Sequence, residues 1–270
     1  MALYLVATPI GNLEDITLRA LRILKEVRLI AAEDTRTTRK LLNHYGIKTP
    51  LVSYFEHSGL ARLAQILAAA GEGDAALVSE AGMPGLSDPG YEMVAVALDK
   101  GIKVVPVPGP TAPVAALVAS GLPSDRFLFL GFLPRRAAER RRLLASVARQ
   151  PYTLVFFEAP HRLLASLSDM SQLLGERRIA VARELTKLYE EVYRGTIREA
   201  IQHFAQPRGE FTLVVEGCRE LPTSMGEEEV QEALRRALAG GLSRKEAAAR
   251  VAQETGWSKR EVYRLASGFC

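Results

Sequence analysis

The sequence predicts an α/β protein of two domains with a small helical module at its carboxyl end, and three observations predict it. Over residues 1–123, short apolar runs alternate with amphipathic ones, the pattern of βαβ units and a mostly parallel sheet. A second set of apolar runs, separated by helical or turn segments, continues to residue 219. Beyond residue 227 the chain carries two Ser-x-x-Glu capping boxes in close succession. With 270 residues and 48% hydrophobic composition, there is enough apolar material to bury more than one core.

Leu3-Tyr-Leu-Val-Ala-Thr8 is the first strand, its apolar run being strand-length. Leu18, Leu21 and Leu24 recur at near-helical spacing, so a helix follows, and Val27 to Ala32 is a second strand. A helix from Thr35 to His44 and another from Leu60 to Ala70 precede the strand Ala75-Ala-Leu-Val78. An amphipathic run from Tyr91 to Lys100 and a strand from Ile102 to Val107 lie within the first domain, residues 1–123. Strands starting at Phe127, Thr153, Ile179 and Phe211 build the second, residues 124–219, and a polar stretch from Arg219 to Gly226 reads as a linker. In the module of residues 227–270, Ser243 and Glu246 open a helix with Ala247, Ala248, Val251 and Ala252 on one face. Gly256 ends it, and Ser258 with Glu261 opens the next.

Composition narrows the function classes. Two cysteines, Cys218 and Cys270, give no disulfide framework, and four histidines show no metal-ligand spacing, so no metal is expected. The amino terminus lacks the basic start of a signal peptide, and the uncharged stretch from Val104 to Ser124 carries five prolines. No membrane segment is expected, and the chain reads as cytoplasmic. A net charge of +4 is mild, but Arg135, Arg136, Arg140, Arg141 and Arg142 crowd one stretch. That cluster suits a polyanion and equally suits a solvated helix face. From Arg235 onward eight basic residues, Lys259 and Arg260 among them, stand against three acidic ones. A helix-turn-helix on nucleic acid fits this excess, as does a small module used for dimer contacts.

Four loops fall at the carboxyl ends of strands, where open α/β sheets bind small molecules: residues 7–12, 32–36, 81–90 and 107–112. The third, Ala81-Gly-Met-Pro-Gly-Leu-Ser-Asp-Pro-Gly90, is rich in Gly and Pro, so backbone can approach a ligand closely while the loop stays restrained. A rigid connection with no ligand is its plainer reading. Neither a dinucleotide fingerprint nor a P-loop is present.

Taken in order, Leu5 to Ile16, Ala32-Glu-Asp-Thr-Arg36, Glu80 to Gly90, Val107-Pro-Gly-Pro-Thr-Ala112 and Gly131-Phe-Leu-Pro134 resemble the bacterial small-subunit ribosomal RNA methyltransferase I family. This is a branch of the tetrapyrrole methylase superfamily, and the resemblance runs nearly end to end. It implies two α/β domains with S-adenosylmethionine in the interdomain cleft, a homodimer, and 2′-O-methylation of a cytidine in the decoding region of 16S rRNA, within the small ribosomal subunit. Carried onto this chain, the cofactor-lining positions are Pro9, Gly11, Met83, Leu86, Thr111 and Ala112, with Glu158, Leu185 and Leu213 from the second domain. The superfamily usually has Gly-Asp-Pro where this chain has Gly82-Met83-Pro84, so no carboxylate stands at that middle position.

Methyl transfer to a ribose hydroxyl needs alignment and a proton acceptor. Asp34, Glu33 and His57 are the candidate catalytic residues, and Asp88 and Glu158 are further candidate bases. Asp34, at a strand end before a helix, is alternatively an N-cap. Arg36 either holds a phosphate or pairs with Glu33. With Arg36, the arginines from 135 to 142, Lys259 and Arg260 form the expected RNA-binding set. Two other functions remain open: methylation of a tetrapyrrole, which needs no basic module, and catalysis-free RNA binding in ribosome assembly, which needs no specialised rim loops.

Overall fold

The computed structural model describes residues 2–54, 64, 66–68, 73–88, 90–218, 226–255 and 257–267. The chain divides into two compact units, residues 1–144 with 153–216, and residues 145–152 with 217–270. Both sheets lie in the first unit.

The first sheet contains β1 (Ala2–Val6), β2 (Leu29–Ala32), β3 (Leu51–Ser53), β4 (Ala75–Val78) and β5 (Lys103–Val107) in the order β3-β2-β4-β1-β5. Every pairing is parallel. All carboxyl ends therefore meet one rim, and all four residues of the central β4 are buried, as helices on both faces require. On one face Ile23 and Leu24 of α1 (Leu18–Glu26) and Leu41 and Leu42 of α2 (Thr35–His44) pack against Val6 and Ile30. On the other, Met93 and Ala97 of α3 (Tyr91–Asp99) cover Leu3 and Leu77. Full burial of Leu24 or Leu77 stabilises by roughly 1.5–3 kcal/mol each. α4 (Ala112–Ser120) begins with Pro113 in its first turn and stops at Gly121, which takes the left-handed conformation at φ 74°. Of the helix expected from Leu60 to Ala70, only residues 64 and 66–68 are described, and these are helical. β3 was not anticipated: it is a three-residue edge strand, too short for a periodic signal.

The second sheet runs β6 (Phe127–Phe132), β7 (Thr153–Glu158), β10 (Phe211–Val215), β8 (Arg178–Arg183) and β9 (Glu191–Thr196). Only β6 and β7 pair in parallel; the others pair antiparallel. Central β10 is buried throughout, while edge strand β9 has no fully buried residue. That exposure explains why Glu-Val-Tyr-Arg-Gly-Thr lacks the continuous apolar run that marks its neighbours. A register shift between Phe129 and Phe132, with Gly131 at φ 64°, bends the end of β6. α5 (Ala137–Val147), α6 (Leu163–Leu174) and α7 (Ile197–His203) complete this half.

In the second compact unit, α8 (Glu227–Ala239), α9 (Arg244–Thr255) and α10 (Lys259–Ala266) enclose Val230, Leu234, Ala247, Ala248, Val251 and Val262. Both expected capping boxes form: Glu246 N bonds Ser243 Oγ at 3.3 Å and Glu261 N bonds Ser258 Oγ at 3.2 Å. Gly256 lies outside the described residues. Among the described residues no helix is long and apolar enough to cross a membrane.

Candidate active site

A cavity of about 600 Å³ opens at the carboxyl rim of the first sheet. Loop 7–12 contributes Pro9, Ile10 and Gly11, loop 79–90 contributes Met83, Leu86 and Asp88, and the start of α4 contributes Thr111 and Ala112. The second sheet supplies Phe132, Phe157, Glu158, Phe211 and Thr212, and the connection after β8 supplies Leu185. Specific ties hold the rim loops in place. Thr8 and Gly82 exchange backbone hydrogen bonds of 2.9 and 3.0 Å, which fastens the first loop to the third. Asn12 N donates to Thr186 Oγ1 at 3.0 Å. A methyl group added at Gly109 would meet Ala7 Cβ at 2.9 Å, so glycine lets two rim loops close on each other.

Backbone strain gathers at this rim. Ser87, Glu184 and Thr186 are the non-glycine residues with positive φ among those described, at 63°, 50° and 66°. Each adjoins a residue lining the cavity. Such conformations cost ~1–3 kcal/mol each and persist where the surroundings hold them, most often at binding sites.

Three of the carboxylates in the cavity lining, those of Glu33, Glu80 and Asp88, come from loops after β2 and β4. Burial pushes the Asp88 carboxyl up to about 6, the charge of Glu33 adds to this, and a hydrogen bond from Ser79 opposes it. Glu158 also faces the cavity, yet its oxygens are occupied: Oε1 accepts from Ala159 N at 2.8 Å and pairs with Arg162 at 2.7 Å, and Oε2 accepts from the Ser166 hydroxyl. Lys187 bridges Glu184 and Glu210 at 3.0 and 2.8 Å. The hydroxyl oxygen of Thr111 is buried and has no hydrogen-bond partner among the described residues, which leaves a polar atom for a ligand.

Several sequence-derived candidates fall elsewhere. Asp34 is the N-cap of α2, accepting from Arg36 N at 2.7 Å, and does not line the cavity. Hydrogen bonding from the Arg36 side chain holds its carboxyl below the ordinary aspartate value. A carboxylate engaged in this way accepts a proton less readily, which favours the helix-cap alternative for Asp34. Arg36 remains exposed and pairs with Asp34 at 3.0 Å, not with Glu33. His57 lies outside the described residues. Leu213 is fully buried in β10 and is not among the residues lining the cavity, to which that strand contributes Phe211 and Thr212 from its start. Arg140 leaves the expected RNA surface: its side chain is 6% exposed and meets Asp169 at 2.6 Å, a charge that burial alone would not tolerate unpaired. Arg141 shares Asp169 from a half-exposed position, while Arg135, Arg136, Arg142, Lys259 and Arg260 are exposed.

Sequence reasoning missed Phe132, Phe157, Thr37, Glu80 and Lys187 as lining residues. Phe132 was within reach, since it lies in the Gly131-Phe-Leu-Pro134 motif. For Lys187 and Phe157 no local signal exists; only the folding of the second sheet brings them here.

Comparison with known proteins adds the following. Residues 2–201 match the family model described as Tetrapyrrole (Corrin/Porphyrin) Methylases, and residues 224–267 match the RsmI C-terminal HTH domain. The chain is 50% identical over 268 residues to Ribosomal RNA small subunit methyltransferase I of Synechocystis sp., covering 97% of this chain and 96% of that one. It is 44% identical over 272 residues to the protein of the same name from Escherichia coli O157:H7, covering 98% and 94%. Among solved structures, diphthine synthase aligns with a TM-score of 0.63 at 13% identity, covering 80% of this chain and 90% of that one. Thermus thermophilus uroporphyrin-III C-methyltransferase complexed with S-adenyl homocysteine aligns at 0.56 and 22% identity, covering 80% and 97%. These two show a shared fold.

Proposed function

Because the chain belongs to the ribosomal RNA small subunit methyltransferase I branch of the tetrapyrrole methylases, which are S-adenosylmethionine-dependent enzymes, we propose that it methylates the ribose 2′-oxygen of a cytidine in 16S rRNA. The observation that carries this reading is the presence of a rim cavity lined by carboxylates together with a helical module whose stretch from Arg235 onward holds eight basic and three acidic residues.

The cavity volume falls in the range of small-molecule sites. Its carboxylates complement a positive charge, and Thr111 offers an unused hydroxyl. Bound S-adenosylmethionine supplies an electrophilic methyl group on a sulfonium whose charge is lost on transfer. Gly11, Met83, Leu86 and Ala112 would hold the ligand, and Phe132 and Phe157 would add apolar surface beside it. The tied loops would hold the bound cofactor in one orientation, which is what an in-line displacement needs. Exposed Arg135, Arg136 and Arg142, with Lys259 and Arg260 on the helical module, hold phosphates of the RNA and contribute no chemistry. The same reading includes a homodimer in the cytoplasm acting on the assembled small subunit.

The test incubates the protein with labelled S-adenosylmethionine and small ribosomal subunits, then locates the methyl group by mass spectrometry of nuclease fragments. A 2′-O-methylcytidine is the expected product, and a base-methylated nucleotide contradicts the reading. Sedimentation velocity checks the dimer.

A further inference from the structure

We propose that Asp88 is the proton acceptor for the attacking ribose hydroxyl, a role that rests on the methyl-transfer reading above. Of the acidic side chains lining the cavity, Glu158 is held by Ala159, Arg162 and Ser166, and Glu210 pairs with Lys187. The remaining carboxylates are those of Glu33, Glu80 and Asp88. Asp88 stands two residues from Leu86 in the loop that also supplies Met83, so it shares a segment with two of the expected cofactor-lining residues. Its place is set from several sides. Ser87 is held at φ 63° immediately before it and Gly90 at φ 146° follows, while the Ser79 hydroxyl, at the start of the loop, bonds Gly82 O at 3.3 Å. A methyl group at Gly131 would come within 3.0 Å of Ser87 Oγ, so the bulged end of β6 presses on the same turn.

The charged groups facing Asp88 are Glu33, from the loop after β2, and Glu80, from its own loop; Arg36 acts on Glu80 from α2. Two neighbouring negative charges and partial burial favour a proton arriving on Asp88. In the step, an oxygen lone pair of the ribose forms the new C–O bond and the methyl carbon–sulfur bond breaks, its electrons going to sulfur. The hydroxyl proton passes to the Asp88 carboxylate and then to solvent. A carboxyl titrating near 6 is ionised at neutral pH yet more basic than an ordinary aspartate, which suits a general base.

Single-turnover transfer to small subunits, with cofactor preloaded and pH varied, tests this. Wild-type rate should rise with pH along a limb centred near the Asp88 value and then level off. Asp88→Asn should slow the plateau rate by ~10²–10⁴-fold and remove that limb, while calorimetric affinity for S-adenosylmethionine changes by no more than about threefold. Glu33→Gln, which removes the neighbouring charge without touching Asp88, should move the limb to lower pH. Asp88→Asn retaining its rate, losing only cofactor affinity, or keeping the limb overturns the assignment, as does a limb unmoved by Glu33→Gln. If wild-type protein places the methyl on a base, the methyl-transfer reading itself fails; a ribose product with a fast Asp88→Asn variant removes Asp88 alone.

Discussion

The loops after β2 and β4 start from similar material and end differently. Each leaves the carboxyl end of a central parallel strand, and each carries a carboxylate before a helix: Asp34 before α2, Asp88 before α3. After β2 the helix begins at once, so Asp34 folds onto the first turn and accepts from Arg36. After β4 the chain needs ten residues more, and α3 starts at Gly90 with no side-chain cap. Asp88 therefore has no helix end to satisfy and faces the cavity. Residue type alone does not make a catalytic carboxylate; what decides is whether local backbone has already consumed its charge.

That contrast can be broken by substitution. The largest effect on cofactor binding is expected at the tie between rim loops. Gly109→Val puts a side chain where a Cβ alone already meets Ala7 at 2.9 Å. It should weaken cofactor binding by more than about tenfold and cost roughly 1–3 kcal/mol of stability by overpacking. Calorimetry and thermal melts check both, and undiminished affinity would show that the loops need not close.

The two aspartates should next give opposite pH dependences of stability. Asp88 has a folded-state pKa raised from 3.8 to about 6, so the folded state binds the proton more tightly and its ionisation destabilises as pH rises through that window. Asp88→Asn should then melt higher than wild type at pH 7.5, with the difference fading below about pH 4. Asp34 is lowered, so its contribution is present above the ordinary value and lost as pH falls through the depressed one. Asp34→Ala should melt lower at neutral pH, converging with wild type in acid. Melts of both variants across pH settle the signs.

The gentlest effect belongs to the helical module. Reversing charge at Lys259 and Arg260 should weaken small-subunit binding and reduce its salt dependence, by about one unit of slope for each phosphate no longer neutralised. Cofactor affinity should not change. A salt titration of binding reads the slope directly, and an unchanged slope would move docking to Arg135, Arg136 and Arg142.

Much of this architecture was legible in the sequence because it rests on local physics. The short apolar runs at residues 3–8, 75–78 and 211–215 mark buried strands, and Ser243 and Ser258 with their paired glutamates mark helix starts. Illegible features depend on long-range packing. β3 and β9 are edge strands and carry little burial signal. The helix Glu227–Ala239 has a glutamate-rich first turn but no Ser or Thr cap, so it escaped notice. Arg140 looks like its four neighbours until Asp169, 29 residues away, removes it from the surface. The rim loops themselves were visible, but which carboxylate faced inward depended on capping geometry.

The most direct measurement compares Asp34→Asn with Asp88→Asn side by side, as single-turnover rates on the same small subunits at pH 8 with saturating S-adenosylmethionine. Asp34→Asn should run close to wild type and Asp88→Asn should lose ~10²-fold or more. A fast Asp88→Asn beside a crippled but folded Asp34→Asn would contradict the account, placing the chemistry on the loop after β2.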